Sequence, residues 1–212
     1  MKKLTVLTFV LFIGIVTSQA QVKVSPGFRG GLNVSDLTNM PGNTSAKSDF
    51  YIGALVAIKF NKYFTLQPEL NYSRQGADIR LSSLDFNNPG DPNFYSRSTK
   101  AEINYLTLGA VGKFHFKGKG FHVLAGPSVD FKTDDNFDKF GTSPVGVDLS
   151  IVAGLGYSLP NGLTFEARFK QGLIDIYGYD GIDYDNNNNS YYDDVILNQV
   201  FQIGISYTFK VK

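Results

Sequence analysis

The sequence predicts an all-β fold, an eight-stranded antiparallel up-and-down transmembrane β-barrel, and three observations lead there. About eight segments alternate apolar and polar residues with a period of two. Their connections alternate between tight turns and long polar loops. Beyond the N-terminus no apolar stretch approaches the roughly 20 residues that a membrane-crossing helix requires, so any insertion must use strands.

The chain opens with Lys2 and Lys3, continues through an apolar stretch from Leu4 to Val16, and reaches Ser18-Gln19-Ala20 before Gln21. A charged start, an apolar centre and a small-residue end form the pattern of a cleaved signal peptide. The apolar part, about 13 residues, is too short to span the hydrocarbon core. Residues 1–20 are therefore expected to be an export signal, and residues 21–212 a single barrel domain.

The 212 residues include no cysteine, which excludes disulfides, thiolate metal sites, a cysteine nucleophile and an acylated lipoprotein N-terminus. Removing Lys2 and Lys3 with the leader leaves 18 basic residues against 19 acidic ones, a balance that points away from nucleic acid. Twelve Tyr, 18 Phe and 22 Gly suit a barrel better than a helical bundle.

The first segment, Gly27 to Ser35, sets Phe28, Leu32 and Val34 against Arg29, Asn33 and Ser35. The second, Phe50 to Phe60, gathers Phe50, Ile52, Ala54, Val56, Ile58 and Phe60 on one face, with Tyr51, Gly53, Ala57 and Lys59 opposite. In the third, Phe64, Leu66, Leu70 and Tyr72 alternate with Thr65, Gln67, Glu69, Asn71, Ser73 and Gln75. The fourth, about Glu102 to Phe116, admits two phases; placing Leu106, Leu108, Ala110, Phe114 and Phe116 outward turns Lys113 and His115 inward.

Segment five sets Phe121, Val123, Ala125, Val129 and Phe131 against His122, Ser128, Asp130 and Lys132. Segment six sets Val147, Leu149, Ile151, Ala153, Leu155 and Tyr157 against Asp148 and Ser150. Segment seven alternates Leu163, Phe165, Ala167 and Phe169 with Thr164, Glu166, Arg168 and Lys170. The eighth alternates Leu197, Phe201, Ile203, Ile205, Tyr207 and Phe209 with Asn198, Gln202, Ser206 and Thr208.

Tight turns are expected at Asn61-Lys62-Tyr63, Lys117 to Gly120 and Leu159 to Gly162, and long loops over about Asp36 to Asp49, Ser82 to Lys100, Thr133 to Val145 and Ile174 to Val195. Short periplasmic turns and long external loops are the outer-membrane pattern, and so are polar rows facing the lumen with apolar rows facing lipid. A soluble carrier barrel has the opposite polarity. Arg74 falls in an apolar phase; near the outer rim this costs only about 0–1 kcal/mol, against about 2–4 at the midplane. Pro68 and Pro127 lie inside strands, where a missing N–H breaks the ladder, and bulges are expected there.

At Gln67-Pro68-Glu69-Leu70-Asn71-Tyr72-Ser73-Arg74-Gln75-Gly76, at Leu124-Ala125-Gly126-Pro127 and at Gly30-Gly31-Leu32-Asn33, the chain resembles the outer membrane protein beta-barrel domain family of Bacteroidetes, often labelled porin-like or PorT-like. The resemblance spans the mature chain and implies a fold and a location rather than an activity or site residues. The end, Gln202 to Phe209, resembles the signature that barrel-assembly machinery recognises, although Lys210-Val211-Lys212 follow the final aromatic.

Few residues suggest chemistry. His115 and His122 bracket the Lys117–Gly120 turn and are expected to be solvated rim side chains rather than ligands or catalysts. Asp183, Asp185, Asn187, Asn189 and Asp194 have calcium-loop spacing, but Asn188 replaces the turn glycine and Asp194 the long glutamate, so a solvated loop is the preferred reading. Tyr177, Tyr179, Tyr184, Tyr191 and Tyr192 could grip a sugar or protein, or pack against lipopolysaccharide. Glu69, Glu166, Arg168, Lys170, Asp130 and Asp148 fall on lumen faces and are expected to form an internal salt-bridge plug, with a narrow ion path as the rival. Gly30-Gly31 and Gly109 with Gly112 lack a strand-to-helix context and are not phosphate loops.

The expected protein is thus a non-enzymatic outer-membrane barrel whose external loops serve surface binding, adhesion or envelope integrity, without catalytic residues, metal or cofactor. Its expected partners are outer-membrane lipid and lipopolysaccharide, and barrel-assembly machinery during insertion. The alternatives are a small-solute channel, an outer-leaflet enzyme and a soluble periplasmic carrier.

Overall fold

Alternation dictates the wall, because successive side chains of a strand point to opposite faces. In a computed structural model of the chain, which describes residues 22–39, 43–83, 95–140, 143–178, 182–184, 190–192 and 195–209, that alternation folds into strands β1 (Lys23–Leu37), β2 (Asn43–Lys59), β3 (Phe64–Ser83), β4 (Tyr95–His115), β5 (Phe121–Asp135), β6 (Val147–Ser158), β7 (Leu163–Gly172), a separate hairpin β8 (Ile182–Tyr184) and β9 (Ser190–Tyr192), and β10 (Asn198–Thr208). All but the hairpin close into one antiparallel barrel of eight strands in the order β1-β10-β7-β6-β5-β4-β3-β2. The sheet closes where β1 meets β10, from Gly27 opposite Thr208 to Leu37 opposite Asn198. Gly31 is needed at this seam: a Cβ there would lie 2.1 Å from the Ile203 carbonyl oxygen.

The lipid-facing rows are as the sequence predicts. Phe28, Ile52, Leu108, Ile151, Phe165 and Ile203 all stand exposed on the outer wall, and Arg29, Gln67, Lys113, Asp130, Ser150, Glu166 and Gln202 are buried inside. The phase chosen for the fourth segment holds, with Leu106 and Leu108 outward and Lys113 inward. Such an exterior is unfavourable in water at about 25 cal/mol per Å² of exposed apolar surface, and costs nothing in hydrocarbon.

Aromatic pairs band the turn end: Phe60–Phe64 at 5.8 Å between ring centroids, Phe64–Phe114 at 5.0 Å, Phe116–Phe121 at 5.4 Å and Phe28–Phe209 at 5.9 Å. With no tryptophan in the chain, Phe and Tyr supply the interfacial girdle.

The three tight turns lie where expected. Asn61 Oδ1 accepts the N–H groups of Tyr63 and Phe64, both at 2.8 Å, and Asn161 Oδ1 accepts that of Leu163 at 3.1 Å. Two of the three turns thus reverse through an Asx side chain that imitates backbone, and the third, after β4, reverses through a 3₁₀ turn (Phe116–Gly118) in which Lys117 and Gly118 take positive φ of 52° and 66°.

At the opposite end the strands outrun the expectation. The stretches expected as loops from Asp36 to Asp49 and from Ser82 to Lys100 are in part strand: β2 begins at Asn43, and β3 and β4 pair continuously out to Ser83 opposite Tyr95. Their alternation continues through Ala77 and Ile79, and through Ala101 and Ile103, all buried. Strands β6, β7 and β10, of 12, 10 and 11 residues, are near the length that crosses a bilayer; β3 and β4, of 20 and 21, rise beyond it.

The two prolines do not make bulges. Pro68 sits opposite Ala110 in the β3–β4 ladder, and β2–β3 pairing skips it but resumes in the same register, from Leu55–Glu69 to Ile58–Leu66. Pro127 faces Ile151, while β4–β5 pairing is interrupted between Gly109–Ser128 and Gly112–Ala125 without slipping. Each proline lacks one donor toward one neighbour, and the rest of the ladder holds register. The register shifts fall instead between Ala46 and Tyr51 and between Asn104 and Tyr105.

Candidate functional site

Inward-pointing residues fill the bore in two layers of different chemistry. The layer nearer the turns is ionic. From β3, Glu69 accepts two hydrogen bonds from Arg168 on β7, at 2.9 and 2.8 Å, and is also paired with Arg29 of β1. Arg168 reaches Glu166 Oε2 at 2.7 Å, and Glu166 is paired with Lys113 of β4. The guanidinium of Arg29 lies 4.7 Å over the Tyr51 ring, a cation–π contact. Lys170 and Asp130 pair at 2.6 Å, and Asp130 also accepts from Thr107 and from Ser150 at 2.9 Å.

Amide and hydroxyl side chains extend this layer. Asn33 donates to Ser73 Oγ at 2.9 Å and accepts from Gln202 at 2.8 Å, while Gln75 accepts from Asn198. The alternating phase makes such a layer possible, since each strand turns every second residue inward; most of these are polar, and Val111, Leu124 and Val152 form a small apolar cluster on the same inner wall. The low-dielectric surroundings make pairing obligatory: one unpartnered buried charge costs several kcal/mol.

The expected plug is therefore present for Glu69, Glu166, Arg168, Lys170 and Asp130. Asp148 joins differently, accepting the Ile174 N–H at 3.2 Å and forming no ion pair among the described residues. Arg29 and Lys113 were absent from the plug read from the sequence, although both stand in the inward phase that identifies the others.

The second layer, at the loop end, is apolar. Leu37, Ala77, Ile79, Ala101, Ile103, Tyr105, Phe137, Ile176 and Ile196 form one buried cluster, with Tyr177 against it. The chain between β5 and β6 contributes Phe137 from a short 3₁₀ turn (Phe137–Phe140), and the segment after β7 contributes Ile176. Both fold back against the inner face of tall β3 and β4. Backbone hydrogen bonds hold them: Asn136 N–H to the Glu102 carbonyl at 3.2 Å, Val145 N–H to Ile176 at 2.7 Å and Ile176 N–H to Ile196 at 2.9 Å. The stretches expected as loops from Thr133 to Val145 and Ile174 to Val195 thus in part line the interior, and the expected polar lumen is corrected to a mostly polar lumen under an apolar cap.

A cavity in the ionic layer, lined by Glu69, Arg29 and Arg168, measures about 20 Å³, room for about one water molecule. A larger cavity of about 160 Å³ opens at the turn end, beneath Lys113 and His115.

His122 is fully buried, which corrects its expected solvation. Its Nδ1 lies 3.0 Å from the Gly120 carbonyl oxygen, its Nε2 3.5 Å from Glu166, and its ring 4.9 Å from that of His115, the residue opposite it in the ladder. The turn is so tight that the first inward position after it already lies inside the wall.

Arg74 reaches Glu102 at 3.1 Å and Asp49 at 3.5 Å, and Lys47 reaches Asp49 at 2.6 Å, so a charge in an apolar phase is neutralised at the outer lip. Tyr177 is turned into the cap, with its ring 6.3 Å from that of Phe137. Tyr179 and most of the Asp183–Asp194 stretch lie outside the described residues, as do the side chains of Tyr184, Tyr191 and Tyr192. No group of three or more His, Asp or Glu side chains suited to a metal occurs among the described residues.

A family model described as "Outer membrane protein beta-barrel domain" matches residues 19–178. Among solved structures, the chain is similar to Neisserial surface protein A at 10% identity and a TM-score of 0.50, covering 88% of this chain and 97% of that one. It is also similar to Ail, the attachment invasion locus protein of Yersinia pestis, solved with the heparin analogue sucrose octasulfate, at 12% identity and a TM-score of 0.45, covering 88% and 99%. The outer membrane protein OprG from Pseudomonas aeruginosa is similar at 13% identity and a TM-score of 0.38, covering 90% and 96%. No curated protein matches the chain in sequence.

Proposed function

The chain belongs to the outer membrane protein beta-barrel domain family, and from that premise we propose that it is a closed, non-conducting and non-enzymatic barrel whose loop end serves surface binding, adhesion or envelope integrity. The observation that carries this reading is the double filling of the bore. A conducting barrel needs a continuous polar path, whereas here the Arg29–Glu69–Arg168–Glu166–Lys113 network occupies the middle and the Phe137–Ile176–Ile196 cap covers its loop end. What remains for contact with the surroundings is the rim formed by tall β2, β3 and β4 and by the segment carrying the β8–β9 hairpin.

On this reading residues 1–20 act as the export signal, lipid and lipopolysaccharide surround the apolar wall, and β10 carries the signature used by the assembly machinery. The resemblance to PorT-like members rests on the Gln67–Gly76 and Leu124–Pro127 stretches and adds no activity.

The test is removal of residues 180–193 from the full chain, with heat-modifiable migration as the check that the barrel still forms. The expected result is loss of cell adhesion to polysaccharide- or protein-coated surfaces, or greater sensitivity of the envelope to detergent. If shortened and intact proteins behave alike in both assays, the loop end has no such role and the reading fails.

A further inference from the structure

At the turn end, which faces the periplasm in an outer-membrane barrel, Lys23 of β1 and Lys59 of β2 are cross-strand partners. Directly opposed side chains stand about 4.5–5.5 Å apart at Cβ, and like charges in that position destabilise a sheet. Neither lysine forms an ion pair among the described residues.

The register continues the row: Lys59 is opposite Thr65, and Thr65 is opposite Lys113. Three of four consecutive strands therefore deliver a lysine to one level of the mouth. His115 enters next to them, with its Nε2 3.4 Å from Thr65 Oγ1.

These residues line the 160 Å³ cavity, and the rest of its wall supplies hydroxyls, including Thr164 and Ser206, but no carboxylate. Lys113 is engaged by Glu166 and fixed in place, which leaves Lys23 and Lys59 as the cavity's lysines without a counter-ion among the described residues. The volume is several times that of the cavity in the ionic layer, which has room for about one water, and suffices for a tetrahedral oxyanion and part of its hydration shell.

We propose that this mouth is an oxyanion-binding site that takes a phosphate group between Lys23 and Lys59, with His115 and the surrounding hydroxyls as further hydrogen-bond partners. The group is either free phosphate or the phosphate of an anionic lipid headgroup reaching in from the inner leaflet. Its binding relieves the repulsion that the β1–β2 register imposes.

The test uses the full chain folded in non-ionic detergent, titrated with inorganic phosphate at constant ionic strength and followed by phosphorus NMR line broadening and by the thermal unfolding midpoint. A parallel arm measures retention of phosphatidylglycerol against phosphatidylcholine by native mass spectrometry. The expected result is saturable binding in one arm or both, weakened at least tenfold in Lys23→Gln/Lys59→Gln, with a phosphate- or lipid-dependent rise in the midpoint that the double variant lacks. Binding in the first arm identifies free phosphate, and binding only in the second identifies the headgroup. Heat-modifiable migration of the double variant shows that it still folds. Non-saturable association in both arms, or binding equal in wild type and double variant, overturns the site.

Discussion

Arg168 and Glu69, 99 residues apart in sequence, meet across the bore through two parallel hydrogen bonds of 2.9 and 2.8 Å. Two opposed walls, β7 and β3, are thereby joined through the interior, in the fork-to-fork geometry that gives guanidinium–carboxylate pairs their strength and direction.

Replacing one partner should cost more than the pair contributes. Glu69→Gln leaves Arg29 and Arg168 buried with Glu166 as the nearest remaining carboxylate, and an uncompensated charge of this kind costs about 3–5 kcal/mol. Urea unfolding of the detergent-folded barrel should show the loss. Glu69→Gln combined with Arg168→Met should recover a substantial part of it, because the second change removes one of the stranded charges.

The apolar cap depends on Phe137, fully buried between the returning segments and the tall strands. Phe137→Ala should destabilise by about 3–5 kcal/mol if the site cannot collapse. Protease added from outside should then cleave around residues 136–146 faster than in the wild type, while the wall strands remain protected.

Depth should grade the cost of charging the outer wall. Ile203, at the middle of β10, faces lipid, as does Phe209 just past its end. Ile203→Arg should cost about 2–4 kcal/mol and Phe209→Arg about 0–1. Equal costs at the two positions would contradict the placement of β10 across the bilayer.

The closing seam should tolerate no side chain at Gly31. A methyl there would approach the Ile203 carbonyl oxygen to 2.1 Å, a backbone clash that no rotamer change relieves. Gly31→Ala should lower or abolish the fraction of chain that runs as the heat-modifiable form on electrophoresis. Gly109→Ala, whose added Cβ would meet Ser128 Cβ at an ordinary 3.4 Å, should leave that fraction unchanged.

The wall was legible in the sequence because its code is local: one residue in, one residue out, broken by Asx and Gly turns. Glu69, Arg168 and Lys170 could be assigned to the lumen by parity alone. Which of them would touch could not be read, since the partners come from strands far apart in the chain. The apolar cap was missed for a different reason. Ala77, Ile79, Ala101 and Ile103 continue the inward parity of β3 and β4, but nothing local to them shows what would pack on an inward apolar row. Only contact with Phe137, Ile176 and Ile196, from other connections, makes an inward apolar row favourable. His122 shows the limit of reading exposure from position, because closeness to a turn did not keep it in water.

The most direct test of the sealed bore is single-channel recording from the folded, full-length barrel in planar lipid bilayers. A sealed barrel should insert, as shown by its heat-modifiable migration after recovery, and give no stepwise conductance at moderate voltage. Reproducible conductance steps from the wild-type protein would contradict the two-layer seal and favour a small-solute channel.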